Sequence, residues 1–337
     1  MNDRRGFISA VACNVLCVPA IAQAQPGKVW RIGWLAPTAA TLDATAVARL
    51  AAFNQGMREQ GYSLGRDYTI EAKAVDGRNE RYPELATDLV ASRVDVIITP
   101  GTTAALAAQK ATATIPIVFV SAGDAVASGL IASMARPGGN LTGRSSITQE
   151  LDAKRIELLR EAVAGLTSLA VLQVQVDTPG APMNPLQAQA MAAVEAAARR
   201  YGIAVQVSEL RSAEHLDATL ALMRSRQPSG LIVFDQTLVL SLKERITEFA
   251  LRSRIPAIYQ QRNWVDAGGF MSYGPNNADE YRRLASYVHR VFKGARPGDL
   301  PVEQPTRIDL VINLKAAKAI GLTVPQSLLL RADEVIQ

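Results

Sequence analysis

The chain has 337 residues, 48% of them hydrophobic and 20% charged, with 36 lysines and arginines against 31 acids and a net charge of +5. This composition fits a globular protein long enough for two domains, each burying its own core. The positive excess is small and dispersed, with no basic stripe interleaved with aromatics, which argues against a nucleic-acid partner. The two histidines, His215 and His289, sit in amphipathic stretches and give little from which to build a transition-metal site.

Arg4-Arg5-Gly6-Phe7-Ile8 has the form of a twin-arginine signal core, followed by an apolar run over 7–18 and by Ala22-Gln23-Ala24, the small residues a signal peptidase needs. The run is too short for a spanning helix, so residues 1–24 are expected to be removed and the mature chain to work in the periplasm. Cys13 and Cys17 fall inside this segment, and Asn14-Val15-Leu16 lacks the small residue that precedes a lipidation site. The mature protein would therefore carry no thiol, with 34 basic residues against 30 acidic ones once Asp3, Arg4 and Arg5 are gone.

From there strands and helices alternate. A strand over 29–35 leads to a helix over 42–60 closed by Gly61; a strand over 68–74, a helix over 81–92 and a strand over 94–99 follow. Next come a helix over 104–113, a strand over 115–120 and a helix over 126–134. The rhythm restarts after Leu151, with strands over 169–174, 204–209, 230–234 and 256–259 separated by helices over 185–201, 213–226 and 240–252. Val/Ile-rich strands spaced by helices imply right-handed crossovers and parallel sheets covered on both faces, here in two Rossmann-like α/β lobes. Gly138-Gly139-Asn140-Leu141-Thr142-Gly143 reads as the first passage between lobes, with 269–274 and 301–305 as the later two. The expected division is 28–143 plus about 275–298 for one lobe and 147–270 plus about 306–337 for the other.

Ligands of open parallel sheets bind beyond the carboxyl ends of the strands, beside helix N-termini. That directs attention to Thr38, to Gly101-Thr102-Thr103, to Ser121 and Asp124, and to Asp235-Gln236. Gly101 would let backbone approach a ligand while the two hydroxyls and helical N–H groups receive a carboxylate; equally, Thr102 could simply cap its helix. Asp235, after the apolar strand, either caps the next helix or pairs with an ammonium group, and Asp124 presents the same alternatives. Tyr259, Trp264, Phe270 and Tyr273 lie within 15 residues of one another, and Tyr259 and Tyr273 are expected to reach the cleft as an aromatic wall.

Several strings are familiar: Ile115-Pro116-Ile117-Val118-Phe119-Val120 with Gly123-Asp124, Ser128-Gly129-Leu130-Ile131, Ala135-Arg136-Pro137-Gly138-Gly139-Asn140-Leu141-Thr142-Gly143, and Ile156-Glu157-Leu158-Leu159-Arg160-Glu161-Ala162. With Gly56-Met57-Arg58-Glu59-Gln60-Gly61-Tyr62, Gly101 to Leu106 and Pro325 to Asp333, the mature chain resembles ABC transporter substrate-binding proteins of the tryptophan/tyrosine type. The resemblance implies a type I periplasmic binding protein fold, with two lobes joined by three crossovers and closing on a small solute. It also implies that Thr102 and Thr103 receive the ligand carboxylate and Asp235 its amine, and that the partners are a membrane permease and its separate ATPase.

No phosphate-binding Gly-x-x-x-x-Gly-Lys-Ser/Thr loop or Gly-x-Ser-x-Gly elbow occurs, so neither a cofactor nor covalent chemistry is expected. The expectation is a monomeric, exported receptor of an ABC importer. Its alternatives are an exported α/β enzyme using Asp124 or Asp235 as a general base, and a sensory binding protein.

Overall fold

The computed structural model describes residues 28–39, 44–146, 149–174 and 185–337. The expected export signal, with both cysteines, lies outside them. In the first unit, β1 (Trp30–Ala36), α1 (Ala44–Glu59), β2 (Tyr68–Ala74), α2 (Tyr82–Ala91), β3 (Val96–Pro100), α3 (Thr102–Ala111), β4 (Ile117–Ala122) and β5 (Leu141–Ser145) build a five-stranded parallel sheet in the order β2-β1-β3-β4-β5. In the second come α4 (Gln149–Ala162), β6 (Ser168–Val174), α5 (Pro185–Arg200), β7 (Ala204–Leu210), α6 (Leu216–Ser225), β8 (Gly230–Val233), α7 (Thr237–Leu240), α8 (Lys243–Arg252), β9 (Ala257–Tyr259), α9 (Arg262–Asp266) and β10 (Met271–Pro275). The chain then returns to the first lobe as α10 (Asn277–Phe292). It crosses back to add β11 (Ile308–Asn313), α11 (Leu314–Ala319), α12 (Gln326–Leu329) and β12 (Glu334–Ile336) to a seven-stranded sheet ordered β12-β11-β10-β9-β8-β6-β7.

Each sheet is buried on both faces, which is why its strands read as continuous apolar runs. In the first lobe Leu35, Ile97, Ile117 and Phe119 face α2 and α3, while Ile32, Val96, Val118 and Val120 face α1 and α10. Leu169, Val171, Ile232 and Ile258 pack under α4 and α5, and Ala170, Leu172, Leu231 and Val233 under α6 and α8. The attachment of α10 to the first lobe rests on close backbone approach: a Cβ at Gly56 would lie 2.1 Å from the Arg282 carbonyl oxygen. Tyr281 on α10 stacks on Trp34 with ring centroids 5.8 Å apart.

Three expectations need correction. The pair β10–β11 is antiparallel, because β10 leaves towards the first lobe and β11 returns from it. The stretch 125–129 forms hydrogen-bonded turns in place of a helix, ended by Gly129 at φ 74°. Gly138 to Gly143 is also no passage between lobes: it turns into β5, the edge strand of the first sheet, so that passage begins only after Ser145.

Gly143 is at φ 147°, and a Cβ there would lie 2.0 Å from the Phe119 carbonyl oxygen in β4. Its role is close strand approach. Gly143→Ala is expected to destabilise the protein by about 1–3 kcal/mol, through overpacking against rigid backbone, as a lowered denaturation midpoint would show.

Candidate functional site

Asp235 follows Val233 and Phe234 out of the second sheet, so its carboxylate stands at the carboxyl end of β8. It caps no helix. Its Oδ1 accepts the Trp264 indole N–H at 2.7 Å, its backbone N–H donates to Gln260 Oε1 at 2.9 Å, and Oδ2 is buried with no partner. Trp264 is itself fully buried and stacked on Tyr259, with centroids 4.9 Å apart and planes 8° from parallel. Gln260 Nε2 donates to Asp152 Oδ1 at 3.3 Å, Asp152 pairs with Arg155 one turn along α4, and Arg155 Nε donates to the Tyr273 carbonyl at 2.8 Å. One polar chain thus spans the ends of β8, β9 and β10.

Burial dominates the electrostatics of this chain. Desolvation raises the Asp152 carboxyl above the usual carboxylate range despite Arg155 and Gln260. It pushes Asp235 up to about 6, against the Trp264 hydrogen bond and the fields of Arg155 and Arg49, and with a small upward push from Asp152. Both amide atoms of Gln173, the second oxygens of Asp152 and Asp235, the Tyr259 hydroxyl and Asn263 Oδ1 are buried without hydrogen-bond partners. Most of these atoms belong to residues near the carboxyl ends of β6, β8 and β9.

The first lobe carries the loops after β3 and β4. Gly101, at φ 80°, lets the chain turn from β3 into α3, which no side chain caps. The Thr102 hydroxyl accepts from the Gly123 N–H at 2.9 Å, tying together the loops after β3 and β4, and Thr103 is exposed. Ser121 and Asp76 both have left-handed backbone, φ 53° and 50°, strained conformations that recur at ligand-facing loops. Asp124 is a turn cap: its Oδ1 accepts from the N–H groups of Val126 and Ala127. Gln236 Oε1 accepts from the Val174 N–H and joins the ends of β8 and β6.

Between the lobes lies a cavity of about 840 Å³, lined from the first lobe by Thr38, Arg49 and Asp76 and from the second by Asn263, Asp266 and Ser272. The lobes also touch directly. Arg49 Nη2 donates to Gln261 Oε1 at 3.2 Å, and the position of a Cβ at Gly77 lies 3.3 Å from Ser241 Oγ. Of the residues expected to bind, Thr38 lines this cavity; Gly101, Thr102, Thr103, Ser121, Asp124, Asp235, Gln236, Tyr259 and Tyr273 do not, and Asp235 is linked to it by its hydrogen bond to Trp264, whose chain neighbour Asn263 is on the lining.

The expected aromatic wall is not formed. Tyr259 is fully buried beneath Trp264, and Tyr273 packs on the other core of the second lobe. Tyr273 alternates along β10 with Ser272 and Gly274, which line the cavity. Sequence reasoning missed Arg49, although it is the one charged residue among the first fourteen of α1.

Two α/β lobes thus enclose an interlobe cavity. A family model for ABC transporter substrate binding proteins matches residues 43–336. The chain belongs to that family. Its fold is the type I periplasmic binding protein fold. This substrate-binding protein is 23% identical, over 80% of its length and 75% of the relative's, to the tyrosine-binding protein of Clostridioides difficile. It aligns with an ABC domain from Streptococcus pneumoniae in complex with L-Trp at TM-score 0.80 and 23% identity, covering 92% of this chain and all of the other. A ligand-free, open substrate-binding protein with adhesive properties from Clostridium difficile aligns at TM-score 0.64 and 20% identity, over 92% of this chain and all of that one. Among the described residues no helix is long and apolar enough to cross a membrane.

Proposed function

We infer that this protein is the exported receptor of an ABC importer and captures a small carboxylate-bearing solute, amino-acid-like or aromatic, between its lobes. The observation that carries this reading is Asp235: a buried carboxylate at a strand end, held by an indole N–H and left with one oxygen unpartnered. Such a group suits a ligand ammonium. In this reading the N-terminus of α3, which no side chain caps, receives the anionic end with Gly101, Thr102 and Thr103, and Thr38, Ser121 and Gln236 add further contacts; of these, Thr38 lines the interlobe cavity. Tyrosine and L-Trp binding by relatives supports the same class of solute.

In this reading the protein works by binding and closure. Contacts to both lobes shift the population towards a closed form, whose surface the membrane permease recognises, while a separate ATPase drives transport. The protein acts as a monomer in the periplasm. A thermal-shift screen of amino acids, aromatic acids and other small carboxylates tests the reading: stabilisation by members of this class is expected, and indifference to all of them contradicts it.

Export through the twin-arginine route accounts for Arg4 and Arg5. The double substitution Arg4→Lys with Arg5→Lys is expected to leave precursor in the cytoplasm, seen by fractionation. Unimpaired export would show that another route is used.

A further inference from the structure

Among the described residues lining the interlobe cavity, the cations are not equivalent. Arg262 is paired with Glu334 and Asp266, and Lys243 lies 3.0 Å from Glu244. Arg49 has no acid within ion-pair distance among the described residues. Its Nη2 meets only the neutral amide oxygen of Gln261, which also accepts from Asn277 Nδ2 at 2.6 Å, and its Nε is buried with no acceptor at all. The guanidinium lies 5.7 Å from the ring centre of Tyr281, an apolar floor that orients it without neutralising it.

Among the described residues, the two arginines buried in the interior are treated differently. Arg144 holds Glu280 and Glu303, and Arg155 holds Asp152. A partly desolvated guanidinium with an orphaned N–H is costly unless something supplies the acceptor. We propose that Arg49 is the anchor for the solute's carboxylate, the charged group that makes an anionic end obligatory.

A planar oxyanion accepting from Nε and a terminal nitrogen satisfies the fork geometry of the side chain. Asp76, Glu244, Asp266 and Asp309 also line the cavity, and their charge disfavours a doubly charged anion such as phosphate. Arg49 belongs to the first lobe and Asp235 to the second, without forming a salt bridge with each other. A zwitterion placed between them offers its carboxylate to one lobe and its ammonium to the other. The Gln261 contact is then a resting partner that the ligand replaces or shares.

This proposal rests on the reading of the protein as a receptor for a carboxylate-bearing solute, and paired probes separate the two. Calorimetry compares L-tyrosine with tyramine and L-tryptophan with tryptamine, each amine being the amino acid without its carboxylate, with 4-hydroxyphenylacetate as an acid without an amine. The native protein is expected to bind an amino acid and to discriminate against its amine. In Arg49→Gln the amino acid should weaken by about 10- to 100-fold while the amine changes little, so that the discrimination collapses. Arg49→Lys should recover part of it.

A purely structural arginine would weaken both probes of a pair alike and lower the melting temperature of the unliganded protein. Discrimination that survives intact in Arg49→Gln overturns the proposal alone and leaves the carboxylate to the N-terminus of α3. A native protein that binds an amino acid and its amine equally also overturns it alone. A native protein that binds none of the five probes overturns the proposal and the functional reading together.

Discussion

Asp235→Asn is expected to cost about 2–5 kcal/mol of affinity for an ammonium-bearing solute while leaving the unliganded protein no less stable at neutral pH. Asparagine keeps the size of the side chain and can still accept the Trp264 indole N–H through its amide oxygen. What it loses is the charge. The pH dependence gives this prediction its sign. Burial raises Asp235 to about 6 in the folded protein, whereas in the unfolded chain it ionises in the usual carboxylate range. Between those values the folded state holds the extra proton. The contribution of Asp235 to stability is therefore greatest in acid, falls as pH rises through that interval by about 3 kcal/mol, and is flat above it.

Binding runs the other way. An ammonium pairs with the ionised carboxylate, so affinity should climb as pH rises through about 6 and level off near neutrality. Calorimetry from pH 5 to pH 8 should show this climb in the native protein and its loss in Asp235→Asn. An Asp235→Asn variant that binds as tightly as the native protein but melts earlier would make Asp235 a structural residue and remove the amine site.

The second large effect belongs to Arg144→Ala, which should destabilise the protein by about 3–5 kcal/mol by leaving a buried acid unpaired. Arg144 lies on β5 and is fully buried. It grips Glu280 of α10 through Nε at 2.7 Å and Nη2 at 2.9 Å, Glu303 through Nη1 at 2.7 Å, and the Gln304 carbonyl at 3.2 Å. One guanidinium thus joins the edge strand before the first passage, the helix after the second and the segment leading into the third. Glu280 is only 2% exposed, so loss of its cation leaves a carboxylate with little access to solvent. Arg144→Met together with Glu280→Leu, which removes both charges and keeps volume, should recover most of the loss in chemical denaturation. If Arg144→Ala alone is as stable as the native protein, the pair does not hold these segments together.

Much of this fold was legible because buried parallel strands leave an unmistakable Val/Ile signature and their helices end at glycines. Ile97-Ile98 and Leu231-Ile232-Val233 could hardly be anything else. β5 was not legible: Gly143 and Arg144 interrupt its apolar pattern, and both are there for partners far away in the chain, Phe119 in β4 and Glu280 on α10. At the site, Asp235 stood out as a single acid after an apolar strand. Its indole donor did not, since Trp264 is 29 residues further on and reaches the carboxylate only after α9 folds back. Arg49 was hidden by convention, because an arginine on an amphipathic helix normally marks the solvated face. Its partner Gln261 is 212 residues distant and lies on the other lobe. Local pattern reports which face is buried; it does not report what two lobes bring together.

The clamp is tested most directly by small-angle scattering on the mature protein, alone and saturated with the solute that stabilises it most in the thermal screen. Capture between two lobes predicts a smaller radius of gyration and a shorter maximum dimension with ligand, and an unliganded population that includes more open forms than the one described here, in which Arg49 already touches Gln261. A saturated protein as extended as the empty one, at full occupancy confirmed by calorimetry, would contradict closure and place the solute somewhere other than between the lobes.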